Sequence, residues 1–462
     1  QSSGIGGGAF VLYWDNETKT LHAYDGRETA PAAATEDRFL TEDGDAMGRR
    51  QAIIGGKSVG VPGLIRMMHL AHEQHGAQPW SEMFSPAIDV AENGFAISPR
   101  LFRLLEVDKN LPLIETPAAH YYLADGTPKP IGTLLKNSEM ANTLRRVAGE
   151  GPDAFYTGTI AADIVAEVTT TTRNPADLTL EDMANYEAKE RTPLCAPYRR
   201  FTICGMPAPT SGGIGVIQTL GLLEKFDLPG MEPWSSEAVH LFAEASRLVY
   251  ADRATYIADP DFTPVPQKGL TDRGYLRERA AQIDIASRID KAEAGKPPQK
   301  GTYNYGAGRD FERPSTTHIS VIDQEGNAVS MTSSIEGAFG SHLMVHGFLL
   351  NNQLTDFSYD AVAEGRTVAN RVEGGKRPRS SMAPIIVFDE NDEIVAVSGS
   401  PGGASIVPLV AKTLIAMLDW NMTPQEATNL PNVLLFGPTV LLEGGTILES
   451  RKADLEALGH RV

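Results

Sequence analysis

The sequence predicts a layered α+β fold. Short apolar strand runs occur near the start of the chain and again beyond residue 316, long helical stretches lie between them, and no regular strand–helix alternation links the two. No internal repeat is present.

The first run, Ala9-Phe10-Val11-Leu12-Tyr13-Trp14, reads as a strand. Asp15-Asn16 supplies the turn, and Leu21-His22-Ala23-Tyr24 returns beside it. The run abuts Gly4-Ile5-Gly6-Gly7-Gly8, a start that reads as cut into an existing fold. Residues 64–160 predict mainly helix, punctuated by Pro62-Gly63 and Pro152, and Asp163 to Val168 and Glu181 to Tyr186 continue that pattern. Strands resume at Tyr198 to Cys204. Pro207 to Gly213 forms a turn, and Ile214 to Lys225 a helix. Ser235 or Ser236 caps a helix from about Glu237 to Ile257, with Val239, Phe242, Leu248 and Val249 near one face.

Ala294 to Ser315 is rich in Gly, Pro, Lys and Gln, and should be exposed and mobile. At Thr316 the pattern switches abruptly to strands. Val372 to Arg379 is a further loop, and Ile385 to Phe388 pairs with Ile394 to Val397 around a turn at Asp389 to Glu393.

Composition narrows the partners. The 462 residues carry 41 basic and 59 acidic side chains, a formal charge of −18. Nucleic acid and anionic membrane surfaces both attract Lys and Arg, so neither is expected as a partner. The longest apolar candidate, Ile406 to Trp420, is interrupted by Lys412 and Asp419 and falls short of the roughly 20 residues of a membrane span. Gln1-Ser2-Ser3-Gly4 lacks the basic start and apolar stretch of a leader. Cys195 and Cys204 flank a hairpin turn at Pro197 to Arg200. A bridge between them is conceivable, but they read first as two small apolar strand residues. No zinc-type spacing occurs, and neither a metal nor another cofactor is expected.

The chemistry concentrates in Thr316 to Glu336. Its β-branched alternation on both sides of Gln324-Glu325-Gly326 predicts a hairpin, with Gly326 in the left-handed position of a three-residue loop. If Asp323 faces Asn327, the register sets Ser334 opposite Thr316. Side chains so opposed share a face with Cβ atoms about 4.5–5.5 Å apart, close enough for the two hydroxyls to bond. Glu336, two residues on, falls on the same face. A break before Thr316 would free an α-amine with a pKa of about 7.7–8.0, able to take the hydroxyl proton from within the same residue.

Seven motifs then follow in a single order: Arg27-Glu28-Thr29-Ala30-Pro31, Gly60-Val61-Pro62-Gly63, Pro209-Thr210-Ser211-Gly212-Gly213, Thr316-Thr317-His318, Leu350-Asn351-Asn352-Gln353 with Asp356-Phe357, Arg377-Pro378-Arg379-Ser380-Ser381-Met382 and Gly399-Ser400-Pro401-Gly402-Gly403. In this order the set resembles the gamma-glutamyltranspeptidases. The resemblance implies a four-layer αββα Ntn-hydrolase sandwich and autocatalytic cleavage between Ser315 and Thr316. Residues 1–315 would become a large subunit and 316–462 a small one. It also implies transfer of a γ-glutamyl group from glutathione or a similar donor, through an acyl-enzyme on Thr316, to water, an amino acid or a peptide.

The resemblance further implies roles that suit each side chain. Arg27, with Ser380 and Ser381, would hold the substrate α-carboxylate, since a guanidinium forks onto two oxygens. Asp356, Gln353 and Glu336 would receive the α-ammonium; the family has either Asn or Glu at the last position. Gly402 and Gly403 would form the oxyanion hole through their N–H groups, and Ser334 stands where the family often has Thr. The family's first helix and strand and its leader would precede Gln1, its last strands would follow Val462, and placement would be periplasmic or secreted. The pocket-covering loop after Phe357 is expected to be short, with 18 residues between Ser358 and Arg377. Two other readings stay open. An acylase for glutaryl β-lactams on the same scaffold would depend weakly on Asp356, because glutaryl lacks the ammonium. An unprocessed, inactive relative would run as one band on a denaturing gel.

Overall fold

A computed structural model describes residues 2–301, 303–308 and 315–462. Two antiparallel sheets organise it. The strands are β1 (Gly8–Asp15), β2 (Thr20–Gly26), β3 (Lys189–Arg191), β4 (Leu194–Tyr198), β5 (Phe201–Gly205), β6 (Thr317–Ile322), β7 (Ala328–Ser334), β8 (Ile385–Phe388) and β9 (Ile394–Ser398). One sheet runs β3-β2-β1-β7-β6 and the other β9-β8-β5-β4.

β1 is apolar up to Trp14 because both of its faces are covered, and the period of two divides its side chains between two cores. Phe10, Leu12 and Trp14 join Ile203, Ile385 and Val387 of the other sheet, and Trp14 meets Phe388 at 4.6 Å between ring centroids. Ala9 and Val11 face the opposite way, into a cluster with Leu64, Ile65, Ile160 and Ile164. Polar groups also tie sheet to sheet: Ser330 Oγ donates to the Ser398 carbonyl at 3.0 Å and accepts from Ile385 N at 3.1 Å.

The helices that position the site are α1 (Arg49–Ile53), α2 (Leu64–His75), α3 (Gly158–Thr170), α4 (Gly212–Leu223), α5 (Ser236–Tyr256) and α6 (Ile406–Leu418). α2 and α3 supply the second of those clusters; α4, α5 and α6 pack into the first. Ser235 is the serine that caps α5, its Oγ accepting from Ala238 N at 3.2 Å. Among the described residues, no helix is long and apolar enough to cross a membrane.

Two expectations are corrected. Cys195 and Cys204 are bridged, because the β4–β5 register places them directly opposite each other. The stretch 294–315 is not uniformly exposed. Gly308 N donates to the Ala254 carbonyl at 2.9 Å, Gly306 bridges to Val368, and Ser315 is buried. The rest of that expectation, at residues 302 and 309–314, lies outside the described residues.

Candidate active site

The β6–β7 hairpin has the register its alternation dictates. Thr317 pairs with Ser333 and Ile322 with Ala328, Asp323 N donates to the Asn327 carbonyl at 3.0 Å, and Gly326 takes φ +85°. Thr316 therefore lies one step beyond the paired end, where its Oγ1 donates to Ser334 Oγ at 3.2 Å. Ser334 is fixed from its other side by β1, opposite Gly8, and its Oγ also accepts from Glu336 N at 2.8 Å. Glu336 differs from the expectation in one respect. β7 ends at Ser334, and Glu336 reaches the site through a turn at φ +69° rather than along the strand pleat.

Thr316 itself has φ +101°, a region that a β-branched residue rarely adopts. Such a conformation costs on the order of 1–3 kcal/mol and persists only where the surroundings impose it. Next to it, the Ser315 carbonyl accepts a hydrogen bond of 2.9 Å from Gly402 N. Gly402 and Gly403 adopt φ +149° and +56°, which glycine alone tolerates readily, in the turn that leads into α6. The peptide bond before Thr316 thus has a hydroxyl on one side and an N–H donor on its carbonyl oxygen. His318 supports this turn: its ring lies where a Cβ on residue 399 would fall, within 2.1 Å, so Gly399 is required there. Burial lowers the His318 pKa to about 4, so the ring is neutral.

A charged clamp surrounds the hydroxyl. Arg27, at the end of β2, is fully buried; its Nη2 donates to Asp356 Oδ2 at 2.6 Å and to the Arg379 carbonyl at 2.8 Å, and its Nε to the Pro378 carbonyl at 3.1 Å. Asp356 closes a single 3-10 turn that begins at Gln353, whose buried Oε1 has no hydrogen-bond partner among the described residues. Ser380 Oγ accepts from Met382 N at 3.1 Å, and Ser381 Oγ from Arg253 Nη2 at 2.8 Å. Glu336 is held on both oxygens, by Arg49 Nη2 at 2.7 Å and Asn352 Nδ2 at 2.6 Å.

Thr316, Ser334, Glu336, Gln353, Asp356, Ser380, Ser381 and Gly403 all line one cavity, floored by Met382 and Ile406; Arg27 and Gly402 sit just behind it. Its volume is about 20 Å³, little more than one water occupies, so an amino-acid-sized ligand needs the lining side chains to move apart to enter. A larger cavity of about 830 Å³ lies along Ser320 to Ile322 and Val395 to Pro401, and none of these site residues lines it.

The sequence model of the Gamma-glutamyltranspeptidase family matches residues 1–462. The chain belongs to that family. This gamma-glutamyltranspeptidase-family enzyme is 37% identical to a Glutathione hydrolase proenzyme of Bacillus subtilis, over 99% of this chain and 78% of the relative. It is also 33% identical to an Acylase ACY 1 proenzyme of Pseudomonas sp. strain SE83, over 95% of this chain and 76% of the relative. A crystal structure of cephalosporin acylase from Bacillus halodurans shares the fold with a TM-score of 0.83 at 23% identity, covering 99% of this chain and 80% of that one. The gamma-glutamyltranspeptidase of Helicobacter pylori aligns with a TM-score of 0.61 at 30% identity, covering 64% and 85%. The mixed α+β class expected from the sequence is the class observed.

Some participants carried no sequence signal of their own. Arg49 comes from a short helix in an irregular stretch, and Arg253 from a helix whose face read simply as core. Glu28 lay inside the first motif without a role. It is fully buried 3.7 Å from Arg27, and burial pushes its carboxyl up to about 8 while the Arg27 cation pulls the other way.

Proposed function

We propose that this family member is a self-processing γ-glutamyl transferase and hydrolase built as a four-layer αββα sandwich. In this reading residues 1–315 and 316–462 become its large and small subunits, and the mature enzyme works outside the cytoplasm. Thr316 Oγ1 attacks the Ser315 carbonyl carbon, the oxyanion falls on Gly402 N–H, and the C–N bond breaks as the Thr316 nitrogen takes the hydroxyl proton. Water then hydrolyses the resulting ester, leaving a Ser315 carboxylate and a free Thr316 amine. The strained φ at Thr316 is relieved at that step, which favours cleavage over re-ligation.

In the mature enzyme that amine removes the Oγ1 proton as the hydroxyl attacks the γ-carbonyl of glutathione or a similar donor, and then passes the proton to the departing amine. The γ-glutamyl ester on Thr316 goes to water, or to the amine of an amino acid or peptide. Ser334 steadies Oγ1, and Gly402 and Gly403 receive the oxyanion. Arg27, Ser380 and Ser381 take the α-carboxylate; Asp356, Gln353 and Glu336 take the α-ammonium.

One observation carries this reading: Asp356 lines the same cavity as the Thr316 hydroxyl, and the Arg27 cation is paired to it from just behind the wall. A zwitterionic amino-acid end satisfies both charges at once. Intact mass before and after incubation tests the processing step. Wild type should give two fragments split at Ser315/Thr316, and Thr316→Ala one intact chain; an intact wild-type chain with full activity would sink the reading. The identity to Acylase ACY 1 favours an acylase as the second reading. Faster turnover of a glutaryl-anilide than of a γ-glutamyl-anilide would select it.

A further inference from the structure

We infer that Arg253 is a positioning residue that fixes the Ser381 hydroxyl as a hydrogen-bond donor and so makes the site select donors bearing a carboxylate. The inference rests on the carboxylate-binding half of the function proposed above.

Arg253 lies on α5 with its side chain buried beneath the loop that carries Ser380 and Ser381. Its guanidinium forks across two motifs, Nε donating to Ser211 Oγ at 2.7 Å and Nη2 to Ser381 Oγ at 2.8 Å. The Ser211 hydroxyl, having accepted from Arg253, donates to the Ser380 carbonyl at 2.8 Å. Arg379 Nη1 returns a bond of 3.0 Å to the Arg253 carbonyl. The fork therefore sets the height of the loop as well as one hydroxyl on it.

The chemical consequence follows from what each group can do. A guanidinium has donors and no acceptor, so Ser381 Oγ must accept from it, and its own proton must point elsewhere. No acceptor among the described residues takes that proton, and Ser381 lines the cavity that holds Thr316. Ser380 is in the same state, its Oγ accepting from Met382 N. Each of the two hydroxyls thereby keeps its proton for an acceptor in the cavity. A carboxylate oxygen is the ligand that uses them. An ammonium brings only donors and would leave both hydroxyl protons without an acceptor. A lysine at 253 would keep the charge but could not span Ser211 and Ser381 with one rigid fork.

Three anilide donors separate this role from a purely structural one. γ-Glutamyl carries both charged groups, glutaryl only the carboxylate, and 4-aminobutyryl only the ammonium. With Arg253→Met, kcat/KM should fall about ten- to a hundredfold on the first two, mainly through KM, and stay within about threefold on the third. Ser381→Ala should give the same ordering, the double variant should lose clearly less than the product of the two single losses, and Arg253→Lys should recover part of the loss. Equal losses on all three donors, or losses that multiply in the double variant, overturn the inference. Should Arg253→Met fail to split into two chains, Arg253→Lys and Ser381→Ala carry the comparison by the same criterion. A wild type that uses glutaryl but not γ-glutamyl donors would remove the γ-glutamyl reading and leave the role of Arg253 standing.

Discussion

Arg27 Nη2 and Asp356 Oδ2 lie 2.6 Å apart with both side chains shut away from water. Each charge is a partner of the other. Breaking such a pair by removing one member strands a charge in a low-dielectric interior, which costs far more than the pair contributes.

Asp356→Asn keeps the shape and removes the charge. Turnover of a γ-glutamyl-anilide should fall about ten- to a hundredfold in kcat/KM, the loss of one charge-assisted hydrogen bond to the ammonium. Turnover of a glutaryl-anilide should fall by less. A parallel fall on both donors would remove Asp356 from ammonium recognition.

Gly402→Ala should slow self-cleavage. The new methyl would press on Leu409 Cδ1 at 3.3 Å, and φ +149° is one that alanine avoids, so the backbone rotates and withdraws N–H from the Ser315 carbonyl. Loss of one oxyanion donor costs about 2.7–4 kcal/mol, or roughly a hundred- to a thousandfold in rate. The rate at which two bands appear on a denaturing gel reads this directly.

Arg49→Ala removes one of the partners of the buried Glu336 carboxylate. The expected destabilisation is about 1–3 kcal/mol, the penalty for a buried polar group that loses its bond. Glu336→Asn should reduce the cost of the Arg49 change, so denaturant melts of the two single variants and the double would show coupling between the two sites.

Glu28 gives a pH signature. Its folded pKa, about 8, lies above the unfolded carboxylate value of about 4.3, so between those limits the folded state holds a proton that the unfolded state has shed. The contribution is complete below the unfolded value and is lost as pH rises toward 8, by at most about 1.4 kcal/mol per pH unit. Thermal melts of wild type should decline across pH 5–8 relative to Glu28→Gln. Parallel curves would show that Glu28 is ionised in the folded protein.

How far the sequence could be read depended on distance along the chain. The Thr316–Ser334 contact was legible because strand alternation and a glycine turn fix every facing pair in a hairpin. The bridge between Cys195 and Cys204 obeys the same rule, but nothing in the alternation alone separates a thiol pair from two apolar side chains. The clamp residues were visible only as motifs, since Arg27 and Asp356 meet across 329 positions. Arg49 meets Glu336 across 287, from a stretch with no periodicity to betray which way it points. Arg253 was hidden differently: its helix is buried nearly all round, so one polar face cannot be told from core.

The strand order also decides what a cut at residue 315 can release. β1, from before the break, is laddered to β7 from after it, and β5 to β8 in the second sheet. The two pieces would be woven through each other like clasped fingers. Neither could drift off as a separate body, and dilution alone would not part them; only melting the fabric would.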